Sequence, residues 1–100
     1  MLNTVKNIEG SKARIALEGR LDTLSSPALE RELEPLLAQL TELELDLEKL
    51  EYVSSAGLRV LLAAAQAMDE QGSMRVTHVS DDVMDIFRVT GFDDILTIEP

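Results

Sequence analysis

The sequence predicts an α/β domain built on a mixed β-sheet with parallel central strands and about three main helices packed on it. Two observations carry the prediction. Apolar residues recur at every second position over residues 13–17 and again over 43–47, and at helical spacing over 29–40 and 58–71. Strand-like and helix-like stretches also alternate along the chain, so successive strands are joined by helical crossovers, which makes them parallel.

The elements follow in order. Leu2, Val5 and Ile8 open the chain in loose alternation. Glu9-Gly10-Ser11 then turns it into Ala13, Ile15 and Leu17, which alternate with Lys12, Arg14 and Ala16. This pattern predicts two strands joined by a tight turn, the second ending at Gly19. Ser26 stands where it can cap a helix, with the pre-set φ of Pro27 at the first helical position. The helix is expected to reach about Leu40, with Leu29, Leu33, Leu36, Leu37 and Leu40 as the stripe that meets a sheet. Pro35 interrupts it. A proline inside a helix removes a backbone bond and crowds the carbonyl four residues earlier, so a kink or break is expected there.

From Thr41 the period becomes two, with Leu43, Leu45 and Leu47 separated by acidic residues, and a third strand is predicted. Residues 48–53 carry the chain off its end to Ser54-Ser55-Ala56-Gly57. A long helix runs from Leu58 to about Gln71, with Gly72 as its C′ residue. Residues 73–79, rich in β-branched side chains, read as a fourth strand containing His78. Ser80 caps a third helix whose first-turn acids, Asp81 and Asp82, suit the helix dipole, and Gly91 closes it. Residues 92–96 connect to a last strand at 97–99. No internal repeat, linker or low-complexity stretch divides the chain.

Composition narrows the function. One hundred residues leave room for a single domain, 1–100. Nineteen acidic residues against nine basic ones give a formal charge of −10, the wrong sign for a phosphate-backbone binder, so no nucleic-acid partner is expected. No run reaches the roughly 18–20 apolar residues of a membrane span, and the first residues lack the pattern of a secretory signal. The expectation is a soluble, cytoplasmic protein without membrane insertion, monomeric when free. With no cysteine and a single histidine, a thiol nucleophile, a thiolate metal site and a paired-histidine ligand set are all excluded. There is no nucleophile–base pair, glycine-rich phosphate loop or metal set, so no enzyme activity, cofactor or metal is expected.

Function concentrates in Tyr52-Val53-Ser54-Ser55-Ala56-Gly57-Leu58-Arg59, where a strand ends and a helix begins, the edge at which open α/β sheets place their sites. Either serine can cap the orphan amides of the first turn, and those amides together with the helix dipole favour an added anion. Arg59 lies four residues after Ser55 on nearly the same helical face, within reach of a phosphate there. Along this helix Leu58, Leu61, Leu62, Ala65 and Met68 form a core face. Val60, Ala63, Ala64 and Ala67 form a second face of small residues, either a docking surface beside Ser55 or a surface covered by a neighbouring helix. His78 and the third-helix residues Val83, Met84, Ile86 and Phe87 read as structural.

The segment from Tyr52 to Leu58 resembles the signature of the STAS domain family of bacterial anti-sigma factor antagonists, with Ser55 at the phosphoacceptor position. Leu17-Glu18-Gly19-Arg20-Leu21-Asp22 is similar to the family's Leu-x-Gly-x-Leu-Asp element, and Thr90-Gly91-Phe92-Asp93 to its Thr-Gly-Leu turn. The order and spacing of the three matches cover nearly the whole chain. The resemblance implies partner switching in transcription regulation. The unphosphorylated antagonist binds an anti-sigma factor that is also a serine kinase; phosphorylation of Ser55 separates the complex, and a metal-dependent serine phosphatase resets it. Together with the small-residue face of the helix, this gives Asp22, Ser54, Ala56, Gly57, Arg59, Val60, Ala63 and Ala67 as the candidate partner-binding residues. Asp22 takes the family's acidic position near the acceptor, either orienting the hydroxyl or acting as a turn residue. Several family members carry Asp where this chain has Ser54, which makes Ser54 a competing acceptor. Glu44 stands where an aliphatic residue is common and reads as part of a solvated face. The alternative on the same fold is a constitutive subunit of a lipid-transport ABC complex.

Overall fold

Gly10 and Ser11 fold the first strand back on the second, and every later strand is added beyond it. In the computed structural model, which describes residues 2–99, β1 (Leu2–Glu9), β2 (Lys12–Leu21), β3 (Glu42–Val53), β4 (Ser73–Thr77) and β5 (Ile98–Glu99) form one sheet in chain order. β1 is antiparallel to β2, with Leu2 beside Gly19, and the remaining pairs are parallel. Between them run α1 (Ser26–Leu37), α2 (Ser55–Gln71) and α3 (Asp81–Thr90), with a 3₁₀ turn at Phe92–Asp94 before β5.

Because each crossover steps the same way across the sheet, right-handed connections put all three helices on one face. Strand alternation agrees. Ala13, Ile15, Leu17, Leu43, Leu45, Leu47, Met74 and Val76 are buried in one core with Leu29, Leu33, Leu58, Leu61, Met68, Val83 and Phe87 of the helices. The intervening residues turn to the uncovered face, where charge takes the place of a second helical layer. Arg14 reaches Glu44 (3.1 Å) and Asp46 (2.6 Å), Arg75 reaches Glu44 (2.7 Å), and Thr77 donates to Glu44 (2.8 Å). His78 Nδ1 lies 3.2 Å from Asp46. Burial alone would push the Glu44 carboxyl up, but the hydrogen bonds from Thr77, Arg14 and Arg75 outweigh it and hold the group below the usual range. Glu44 is thus a paired centre of the open face rather than a freely solvated residue.

Several boundaries depart from the sequence reading for identifiable reasons. β2 runs past Gly19 to Leu21, and β3 continues through residues 48–53 instead of leaving the sheet. Two register shifts against β2 add a residue to β3 each time, so Leu47, Leu50 and Val53 stay buried at a spacing of three. α1 is preceded by Ser25 in place of Ser26 and has no side-chain cap, because Ser25 is engaged elsewhere. It passes through Pro35 and stops at Leu37, short of Leu40, so the disruption falls on its last turn. Past the end of the helix, the side-chain amide of Gln71 of α2 donates to the carbonyls of Leu37 and Leu40. β4 ends at Thr77, and His78 lies beyond it in the left-handed region, φ 54°. Gly72 has an extended φ of 175°, so it is not a left-handed C′ residue. A Cβ there would lie 1.8 Å from the Thr41 carbonyl oxygen, which is why glycine is needed. The Ser80 cap, with its oxygen accepting from Val83 N–H, and the left-handed Gly91 (φ 80°) stand as expected.

Candidate functional site

The C-terminal ends of the parallel strands form one rim, and it is assembled on Leu21. The Ser54 N–H donates to the Leu21 carbonyl (2.8 Å), tying the end of β3 to the end of β2. Gly57 presses on the same residue: a Cβ at this position would lie 2.7 Å from Leu21 Cγ and 2.9 Å from its carbonyl oxygen. α2 therefore starts flush against the sheet because residue 57 has no side chain.

That start assigns the two serines different positions. Ser54 is extended (φ −84°, ψ 174°) and 9% exposed, and its Oγ accepts from the Gly57 N–H at 3.2 Å. It is the N-cap. Ser55 is the first helical residue, exposed, with its hydroxyl left out of that cap. The amides of Ser55 and Ala56 lie in the first turn, where no helical carbonyl precedes them. Arg59 is exposed one turn further on. Hydroxyl, free amides and guanidinium thus share the N-terminal end of a 17-residue helix, an arrangement that suits an anionic group on Ser55.

The expected docking residues divide into two sets. Ala63 is exposed with Arg59, and Ala56 and Ala67 are partly buried. Val60 (6% exposed) and Ala64 (1%) belong to the core instead, with α1 packed against α2. The neighbouring-helix alternative holds at those positions, so Val60 is corrected from surface to core. Leu62 and Ala65, expected inside, are only partly buried; the core stripe is Gly57, Leu58, Val60, Leu61, Ala64 and Met68. Gly57 and Ser54 are likewise corrected: the first packs on Leu21, and the second is buried as a cap.

Asp22 turns the chain out of β2 on this rim. Its Oδ1 accepts from the backbone N–H groups of Leu24 (3.1 Å) and Ser25 (3.0 Å). Its own N–H donates to Ser25 Oγ (2.9 Å), which also lies 2.9 Å from the Arg20 carbonyl. The hydrogen bond from the Ser25 backbone holds the Asp22 carboxyl below the usual range despite some desolvation. Of the two roles open to Asp22 from sequence, the hydrogen bonds observed are those of a turn residue. Sequence reasoning missed two side chains nearby. Leu24 is 90% exposed, and Arg20 stacks on Tyr52 with 4.6 Å between guanidinium and ring centroid. The Asp-x-Leu-Ser order of an Asp-centred turn was the available signal for the first.

Among the described residues no group of three or more His, Asp or Glu side chains is arranged to hold a metal, and no helix is long and apolar enough to cross a membrane. Residues 4–98 match the family model described as Mlab, STAS domain. The chain is 30% identical over 86 residues to the anti-sigma-B factor antagonist of Bacillus subtilis, covering 85% of this chain and 79% of that protein. Its fold is similar to the crystal structure of an anti-sigma factor antagonist from Mycobacterium paratuberculosis (TM-score 0.89, 22% identity, 100% of this chain and 86% of the other). It is also similar to the Bacillus cell-fate determinant SpoIIAA in its phosphorylated form (TM-score 0.75, 14% identity, 100% and 92% covered).

Proposed function

The chain belongs to the STAS domain family, and on that premise we propose that it is an anti-sigma factor antagonist controlled at Ser55. In the unmodified state it binds an anti-sigma factor that is also a serine kinase, which releases the sigma factor. The kinase transfers the γ-phosphoryl group of ATP to Ser55 Oγ, the hydroxyl proton passes to a kinase base, and ADP leaves. The complex then separates, and a metal-dependent serine phosphatase hydrolyses the phosphoester to restore the antagonist.

The observation that carries this reading is the exposed Ser55 hydroxyl, outside the cap that the buried Ser54 supplies. The burial of Ser54 and the engagement of its hydroxyl in the cap favour Ser55 over Ser54 as the acceptor. The name of the Bacillus subtilis relative supports the antagonist role, and the phosphorylated form of SpoIIAA supports modification within this fold. Physically, a phosphate adds about −1.5 to −2 charges. The free amides and Arg59 accommodate that charge without refolding the helix. A partner docked over Ser55, Ala56, Arg59, Ala63 and Ala67 would have to desolvate it, and the interface weakens.

The test incubates the protein with the anti-sigma factor kinase of its source organism and ATP, followed by intact-mass and phosphopeptide analysis. One phosphate on Ser55, none on Ser55→Ala, and release of only the phosphorylated form are expected. Full phosphorylation of Ser55→Ala would overturn the acceptor assignment. An unmodified protein held stoichiometrically by a transporter ATPase in native-host purification would replace this reading with the constitutive subunit.

A further inference from the structure

We infer that Leu24 is an apolar anchor on the docking surface beside Ser55 and that Asp22 is the positioning residue that holds it out; this rests on the antagonist reading and specifies where the anti-sigma factor grips. A leucine 90% exposed is not by itself informative, since single apolar side chains are common on surfaces. What distinguishes Leu24 is the frame that presents it. Asp22 Oδ1 accepts from Leu24 and Ser25 N–H, Ser25 Oγ is held between Asp22 N–H and the Arg20 carbonyl, and Ser26 N–H donates to the Asp22 carbonyl (2.9 Å). Every bond in the turn stabilises its backbone, and none draws the Leu24 side chain inward. Such a tip loses little conformational freedom when it is bound, which is the condition under which an exposed side chain contributes most to affinity.

Its position gives it an occupant. Leu21, three residues earlier, receives the Ser54 N–H and the face of Gly57, so the Leu24 turn and the Ser55 turn are two projections from one anchor point. A partner that covers Ser55 meets both. The intervening carboxylate is not a bare charge, because its Oδ1 already accepts from two backbone amides. The fitting surface is an apolar recess on the anti-sigma factor, next to the cleft that receives Ser55.

The experiment titrates the purified anti-sigma factors of the source organism with wild-type protein, Leu24→Ser, Asp22→Ala and Asp22→Asn, with thermal unfolding of each variant alongside. Leu24→Ser is expected to weaken binding about tenfold or more with its melting temperature unchanged. Asp22→Ala is expected to weaken binding comparably, while Asp22→Asn, whose amide oxygen can still accept both N–H groups, restores it. Wild-type affinity in Leu24→Ser would overturn the anchor and leave the antagonist reading intact. Failure of the wild type to bind any of the anti-sigma factors would overturn both.

Discussion

Two adjacent serines share one helix start, and a shift of one residue decides which is structural and which is free. Ser54 Oγ is the buried acceptor of Gly57 N–H, so Ser54→Ala should cost about 1 kcal/mol, the usual loss for a cap. In a domain of this size that lowers the melting temperature by roughly 4–8 °C. Ser55 should still be phosphorylated in that variant. Ser55→Ala should melt as the wild type does. Thermal unfolding paired with intact-mass analysis separates the two effects, and a Ser54→Ala protein of unchanged stability would contradict the capping role. The segment was legible from sequence, but the choice between the serines was not. Both hydroxyls lie within a turn of the orphan amides, and only the contact of Gly57 with Leu21 settles where the helix begins.

At the scale of elements, sequence patterning located the strands and helices but lost their ends wherever a long-range contact overrides local period. The lower part of β3 is the clearest case, since two register shifts keep Leu47, Leu50 and Val53 buried at a spacing that is neither strand-like nor helix-like. α1 is another: its cap fails because Ser25 is engaged by the Asp22 turn, a competition invisible to a capping rule. The junction of α2 and β4 gives a prediction of its own. A Cβ at Gly72 would meet the Thr41 carbonyl, a backbone group that cannot rotate away, so Gly72→Ala should cost at least about 3 kcal/mol, the upper end for overpacking. Urea denaturation midpoints measure this. A cost below that of Ser54→Ala would mean that the loop after α1 yields easily.

For the molecule as a whole, α/β class, the parallel central strands and the number of helices were legible because strands and helices alternate along the chain and helical crossovers make successive strands parallel. The organisation of the bare sheet face was not, because alternation reveals only that Arg14, Glu44, Asp46 and Arg75 point away from the core. Their pairing depends on register between strands about thirty residues apart. This face sets part of the acid response. The folded Glu44 carboxyl titrates below its ordinary value of 4.5, so in that window the unfolded chain binds the proton first. The stabilisation is therefore complete above the ordinary value and disappears as pH falls through the folded one. Glu44→Gln should make stability less dependent on pH below about 4.5, as followed by urea unfolding at stepped pH. An unchanged acid slope would show that other carboxylates carry it.

The antiparallel β1 has a practical consequence for handling the protein. Leu2 pairs with Gly19 and Glu99 with Thr77, so both described ends leave the sheet on the rim that carries Ser55, at its two flanks. An affinity handle or fluorescent fusion joined at either of these ends stands on that rim, beside the proposed docking surface, and turns that side toward any support to which it is fixed. The hairpin at Gly10, on the far rim with open space around it, is the attachment point that leaves the serine side unobstructed.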